Sequence, residues 1–599
     1  MQRLRIHRWE VLCLTEKDEK RASGRNTMIR IMGYLWRHKV RFLLAIGFAL
    51  LGNVLALFIP KFAGQAIDAI GTAGSVNFTS VFLMCGYMLA CVLLNSILMY
   101  LTQAVLVRVS SMITAEMRRE VFDHLTTLPV AFFDHHQVGD IISRISYDID
   151  TINTSLSSDL IDVVTSMITV AGSLIMMLQI SWKLCIVFVF TTPIMIYITK
   201  HRATVVRPLF HKRSLKLGEL NGFAEEMLSG HKTIKAYGQE ETIVSRFDEK
   251  NLDAVETYYE ADYQGSIVGP TVTFVNNLSL AIISGIGGLL YLAKEISIGN
   301  ISSFILYSKR FSGPISEMAE IMADVQSAIS AARRVFALID EPSESADDQD
   351  AAVLDHCQGN VSFDHVHFSY VPGHEIIHGL DLDAASGKMI AIVGPTGAGK
   401  TTIINMLMRF YDPDSGVISV DGHDITHCTR DSLRKQFSMV LQDTWLFEGT
   451  IYENVAYGRD GVTKEEVINV CKAVDIHDFV ISLKDGYDTV LSDDGVNISK
   501  GQKQLLTIAR AMLSEAKMLI LDEATSNVDS ATEQKIQKAM LALCRGKTTF
   551  IIAHRLSTIQ NADEILVLSH GTVQERGTHE QLLKKKGFYA SLFQAQWDE

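Results

Sequence analysis

The segment MIAIVGPTGAGKTTIINML carries G-x-x-x-x-G-K-T from Gly394 to Thr401. An apolar β-type run precedes the glycines and a helical pattern comes after them. In that context a loop wraps its backbone N–H groups around phosphates at a helix N-terminus. Gly394, Pro395, Thr396, Gly397, Ala398 and Gly399 form the loop, Lys400 reaches the terminal phosphates, Thr401 ligates Mg²⁺, and Thr402 completes the nucleotide-binding positions. Further on, KMLILDEATSNVD ends a buried-strand run in two carboxylates. Asp522, at the strand's carboxyl end, suits a Mg²⁺ contact, and Glu523, one residue later, is placed to polarise an attacking water.

Elements must hold these groups, and 599 residues are too many for one core. Hydrophobic residues are 48% of the chain and the mean hydropathy is +0.17, which predicts a substantial membrane share. A net charge of −13 speaks against a nucleic-acid binder, which needs a basic face to displace counterions. The eight cysteines are scattered without a C-x-x-C pair, so neither a zinc site nor a disulfide framework is expected. Residues 1–27 lack an apolar h-region and contain Glu10, Glu16, Asp18 and Glu19, which predicts a cytosolic tail rather than a secretory or mitochondrial leader; Met28 is a second candidate start.

Apolar runs at Phe42–Pro60, Ser80–Leu101, Val163–Trp182, Leu184–Thr199 and Tyr263–Ala293 are long enough to cross a bilayer, the third and fourth joined by a tight hairpin at Lys183. A sixth, from Ile301, is interrupted by Lys309 and Arg310, which either line a water-filled path or snorkel at the inner boundary. Six spans return both termini to one side, the cytosol, where the nucleotide motifs meet cellular ATP. Between the second and third spans, and between the fourth and fifth, helical spacing continues into the cytosol. An acidic and polar shift at 341–360 marks a linker.

The order of these pieces resembles the ABC transporter superfamily, exporter-type half-transporters in particular. The likeness runs over nearly the whole chain from about Arg30, on several independent motifs. It implies an all-α polytopic membrane domain with six long helices over 28–340, followed by an α/β P-loop NTPase cassette with a helical subdomain over 361–599. It implies ATP and Mg²⁺ as cofactors and an ATP hydrolase coupled to transport. By the same resemblance, Tyr370 in FSYVPG stacks on adenine, Gln442 in VLQDTWLF senses Mg²⁺ and the transport domain, and His554 in IIAHRLST is the switch histidine on the γ-phosphate. Ser526 to Asp529 match the loop that crosses to a partner cassette, and segments around Gln137–Asp140 and Gly222–Glu226 look like coupling elements that touch the cassettes, the second that of the partner chain.

One motif departs from the family. The segment that a partner chain's ATP meets normally reads L-S-G-G-Q, and here it is Ile498-Ser499-Lys500-Gly501-Gln502. Lys500 adds bulk and removes a glycine's access to positive φ. Just upstream, Ser492-Asp493-Asp494 stand where Gly-Glu-Arg is usual. The motifs serving this chain's own P-loop match the family pattern, so the asymmetry resembles one half of a heterodimeric multidrug exporter. The implied partner is a non-identical half-transporter with an unaltered signature, in the plasma membrane bilayer, and the implied substrate is an amphipathic drug. A homodimeric lipid flippase or peptide exporter, and an ATP-gated channel or receptor on the same fold, are the alternatives.

Overall fold

The computed structural model describes residues 24–71, 76–442, 444–491, 498–522, 530–552 and 559–597. The chain divides into two compact units, one of residues 1–127 and 136–341, the other of residues 128–135 and 342–599.

The first unit is helical: α1 (Gly24–Arg37), α2 (Lys39–Ile70) and α3 (Phe78–Leu125) precede the excursion into the second unit. Five of its helices are long and apolar enough to cross a membrane. They are α2, α3, α5 (Val138–Ile180), α6 (Trp182–Ser229) and α8 (Glu240–Leu292), while the short α4 (Val130–His135) lies in the other unit. Two wide turns, Arg144–Asp148 and Ser155–Asp159, interrupt the regular winding of α5. Ser181, in extended conformation, breaks the chain between α5 and α6, and Lys183 pairs with Glu295 at 2.6 Å beside that break. The sixth expected span is α9 (Ile298–Ile339). It is helical but falls outside the five because Lys309 and Arg310 dilute its apolar stretch. Protein contacts compensate: Phe304 and Tyr307 are fully buried, in a cluster with Leu57, Met177, Leu184, Phe188, Ile283 and Phe311.

Three placements differ from expectation. The helix α1 begins at Gly24, inside the stretch read as a tail. Gly222–Glu226 lies within the rod of α6; the chain turns only at Gly230, and the short connecting helix is α7 (His231–Tyr237), closed by Gly238 at φ +61. Gln137–Asp140 is the start of α5, whereas the short helix α4 (Val130–His135) just upstream is the part that belongs to the cassette unit.

In the second unit, β1 (Val361–Val371), β2 (His374–Ala384), β4 (Ser415–Val420) and β5 (His423–Asp424) form an antiparallel sheet in the order β2-β1-β4-β5. Six strands form the other main sheet: β3 (Met389–Val393), β6 (Phe437–Val440), β9 (Met518–Asp522), β10 (Thr548–Ile552), β11 (Glu564–Ser569) and β12 (Thr572–Gly577). Their order is β12-β11-β3-β10-β9-β6, parallel except for the edge strand β12. Parallel strands covered on both faces must be apolar throughout, and β10 is buried at every residue. Helices α10 (Lys400–Leu407) and α11 (Arg430–Lys435) bury Ile403, Ile404, Met406, Leu407 and Leu433 in the core beneath the smaller sheet. A helical group, α12 (Ile451–Ala456), α13 (Lys464–Ala473), α14 (His477–Ser482) and α15 (Lys500–Leu513), packs with the β7–β8 hairpin (Gly449–Thr450 and Val490–Leu491) in a second core.

The linker is held down. Arg430 donates to Asp347 at 2.8 Å and to the Ser345 carbonyl at 2.8 Å, Arg434 grips Glu344 at 2.6 and 3.1 Å, and Ala352 exchanges backbone hydrogen bonds with His427 and Thr429. Glu344 and Asp347 are thus paired with arginines, while Asp348, Asp350 and Asp355 stay exposed.

Candidate nucleotide site

Strand β3 lies between β11 and β10 and delivers the glycine loop at its carboxyl end. The glycines are there for space and backbone freedom. A Cβ on Gly394 would lie 2.3 Å from the Leu568 carbonyl oxygen, and Gly399 has φ +100 with the Ile377 side chain pressed against it. The Gly571 N–H donates to the Ala398 carbonyl at 3.2 Å, and the Gly571 carbonyl accepts from the His378 N–H at 3.0 Å, so the loop is linked through Gly571 to β2.

Lys400 opens α10 and is buried. Its Nζ donates to the Gly394 carbonyl at 2.8 Å and the Pro395 carbonyl at 3.0 Å, curling into its own loop. Burial lowers its pKa, and the nearby Asp522 carboxylate opposes the shift. A buried ammonium held by two carbonyls of its own glycine loop is a fitting receptor for polyphosphate. Thr401 follows it and is exposed, and Asp522 ends β9 in register with Ile552 of β10, which pairs in turn with Ile392 of β3. A carboxylate, a hydroxyl and the loop amides are hard oxygen and N–H donors of the kind that Mg²⁺ and triphosphate require. Gln442 is exposed two residues beyond β6, the strand that flanks β9.

Tyr370, partly exposed near the end of β1, is fixed by its neighbours: its ring meets Phe368 edge-on at 4.8 Å and Tyr411 at 4.9 Å. Its Oη donates to Thr402 Oγ1 at 3.3 Å and accepts from Asn405 Nδ2 at 3.0 Å. Both partners stand on α10, which ties the aromatic residue to the phosphate loop.

Ser499 caps α15. Its Oγ accepts from the Gln502 N–H at 3.2 Å while Gln502 Oε1 accepts from the Ser499 N–H at 2.9 Å. Lys500 is the first helical residue and exposed, and Gly501 is buried. Lys500 is absent from the described non-glycine residues with positive φ. The position therefore needs no glycine backbone, which corrects that part of the expectation; the bulk and charge of the side chain remain. Glu523, Ser526, Asp529, His554 and the Ser492–Asp494 stretch lie outside the described residues.

Residues not anticipated from the sequence also gather here. Tyr411 packs on Phe368 and Tyr370, and its Oη donates to Asp134 Oδ2 of α4 at 2.7 Å. Burial, then that hydrogen bond, raises the pKa of the Tyr411 hydroxyl and keeps it a donor. The aromatic cluster around Tyr370 thus touches α4 directly.

Two family models match: the ABC transporter transmembrane region over residues 42–315 and the ABC transporter model over 377–526. The chain is 39% identical over 584 residues to the ABC transporter ATP-binding protein YfiC of Bacillus subtilis, covering 98% of this chain and 96% of that one. It is 43% identical over 479 residues to a fatty acid ABC transporter ATP-binding/permease protein of Mycobacterium tuberculosis, covering 80% and 76%. A solved bacterial Atm1-family ABC exporter with ATP bound superposes with a TM-score of 0.75 at 30% identity, covering 94% and 99%.

Proposed function

Since this chain belongs to the ABC transporter family, with the exporter's membrane domain and ATP-binding cassette fused in one polypeptide, we propose that it is one half of a heterodimeric exporter with two unequal ATP sites. It is a multi-pass membrane ATPase with a cytoplasmic cassette, and it drives export with ATP. In the proposed cycle Lys400 leaves its loop carbonyls for the terminal phosphates, Thr401, Gln442 and Asp522 hold Mg²⁺, Tyr370 stacks on adenine, Glu523 activates water and His554 reports the γ-phosphate. Ser526 and Asp529 face the partner cassette. These residues serve the site that hydrolyses efficiently, completed by the partner's unaltered signature.

The observation that carries the inequality is Lys500 at the first position of a helix whose Ser499–Gln502 cap is otherwise complete. A helix N-terminus already carries positive partial charge, so an ammonium there strengthens the hold on a triphosphate while its side chain stands where the family has none. The partner's nucleotide is held rather than turned over. Retention tests this. After incubation with Mg-ATP and rapid desalting, the pair keeps about one ATP; two ADP, or no nucleotide, contradicts it.

The substrate is amphipathic. A fatty acid transporter at 43% identity favours molecules with acyl chains, drug-like or lipid, over peptides. Accumulation of a fluorescent acyl amphiphile in inside-out vesicles, dependent on ATP and on Glu523, tests that reading.

A further inference from the structure

Helix α9 crosses α2 at small residues. A Cβ on Gly299 would lie 2.0 Å from the Gly64 carbonyl oxygen, so the backbones touch. Along the same stripe Ser303 Oγ donates to the Pro60 carbonyl at 2.7 Å and Tyr307 Oη to the Leu57 carbonyl at 2.5 Å. Positions 299, 303, 307 and 310 recur at helical spacing on one face, so these contacts fix the side of α9 from which Arg310 projects. The two helices run antiparallel through these contacts. One turn on from Leu57 along α2 is Asn53, and one turn on from Tyr307 along α9 is Arg310, so the antiparallel pairing carries both residues in the same direction past the Tyr307–Leu57 contact.

Around Asn53 the packing is polar. Asn53 Oδ1 accepts from Thr169 Oγ1 at 2.8 Å and its Nδ2 donates to the Thr165 carbonyl at 3.3 Å, bringing α5 to the same spot. Arg310 is about 18 Å along α9 from Ile298, inside a hydrocarbon core of about 30 Å. It is half-buried, and among the described residues no carboxylate pairs with it or with its neighbour Lys309. A guanidinium is costly there without a counter-charge, and its planar fork is suited to receive an anion in bidentate fashion.

We infer that Arg310, with the Asn53–Thr169 pair past the same contact, receives the anionic head of the transported amphiphile: an acyl chain ending in carboxylate or phosphate. The inference rests on the exporter reading above and names its substrate class. Lys309, exposed one residue away, adds positive potential without sharing the facing stripe.

The chain, together with its partner, is placed in phosphatidylcholine nanodiscs without nucleotide, and binding is read by displacement of a fluorescent fatty acid. Oleate and oleoyl lysophosphatidate compete, whichever is tighter identifying the head group; oleyl alcohol and oleylamine compete at least tenfold more weakly. Arg310→Gln weakens both anions at least tenfold and leaves the alcohol unchanged, and Arg310→Lys falls between. Equal loss of all four ligands in Arg310→Gln and Arg310→Lys, anion binding unaltered in both variants, or no preference for anions in the wild type each overturns the site. Because no nucleotide is present, these outcomes are independent of ATP-driven transport, whose absence would instead overturn the exporter reading.

Discussion

Ser499 and Gln502 satisfy each other's backbone N–H groups across one helical turn, at 2.9 and 3.2 Å, with Lys500 standing between them. The cap does not involve the side chain at position 500, so in the proposed composite site Lys500 changes charge and bulk rather than the helix start. Lys500→Gly therefore removes charge and bulk from an unchanged helix start. In the heterodimer it raises turnover at the partner's site by roughly tenfold and shortens ATP retention. Ser499→Ala breaks the cap at a cost of about 1 kcal/mol and lowers ATP retention further. Steady-state hydrolysis and retained nucleotide, measured on the same preparations, check both.

Tyr411 links the aromatic cluster to Asp134. Tyr411→Phe keeps the ring contacts with Phe368 and Tyr370 and deletes only the hydroxyl. Its expected effect is on coupling: nucleotide affinity stays within about twofold, while substrate moved per ATP falls several-fold. Parallel transport and hydrolysis assays measure the ratio, and a proportional loss of both would assign the hydroxyl to the ATP site instead.

Lys400 yields a pH prediction. Burial lowers its pKa from the ordinary 10.5, so the free site loses the ammonium at a lower pH than an exposed lysine does. Phosphates favour the charged form and raise that pKa again. Nucleotide binding at alkaline pH short of 10.5 thus takes up protons, and affinity falls as pH rises through the lowered value. Calorimetry in two buffers of different ionisation enthalpy reads the uptake, and Lys400→Arg, which stays charged, abolishes it.

Asp148, 3% exposed in the first wide turn of α5, accepts from Arg334 Nε at 2.8 Å and from a terminal nitrogen at 2.5 Å. The pair is lopsided, since the arginine side chain is half exposed and the carboxylate is not. Arg334→Ala strands a buried charge and costs about 3 kcal/mol, whereas Asp148→Asn leaves a guanidinium that water can serve and costs about 1 kcal/mol. Thermal unfolding in detergent should rank them in that order; the reverse order would mean that the carboxylate is hydrated.

Contiguous patterns are the legible ones. The glycine loop, its preceding strand and the Asp522 strand end are local, and five spans emerge from uninterrupted apolar runs. The capping pair Ser499-x-x-Gln502 is equally local, and its recognition as a cap removes any need for positive φ at Lys500. Tyr411 and Asp134 are separated by 277 residues, and no spacing rule connects them. The pairing of the linker's Asp347 and Glu344 is not legible either, because their arginines, Arg430 and Arg434, lie 83 to 90 residues away. The second connecting helix escapes a reading by periodicity because amphipathic spacing runs through Gly222–Glu226, and only Gly230 and Gly238 mark the true turn.

Unequal sites are the central claim, and ATPase activity tests them most directly. The chain is purified alone and together with a non-identical half-transporter carrying an unaltered L-S-G-G-Q segment, each with and without Glu523→Gln. Activity confined to the pair and abolished by Glu523→Gln is the predicted result. Robust hydrolysis by the lone chain, with Lys500 in both of its sites, would contradict it.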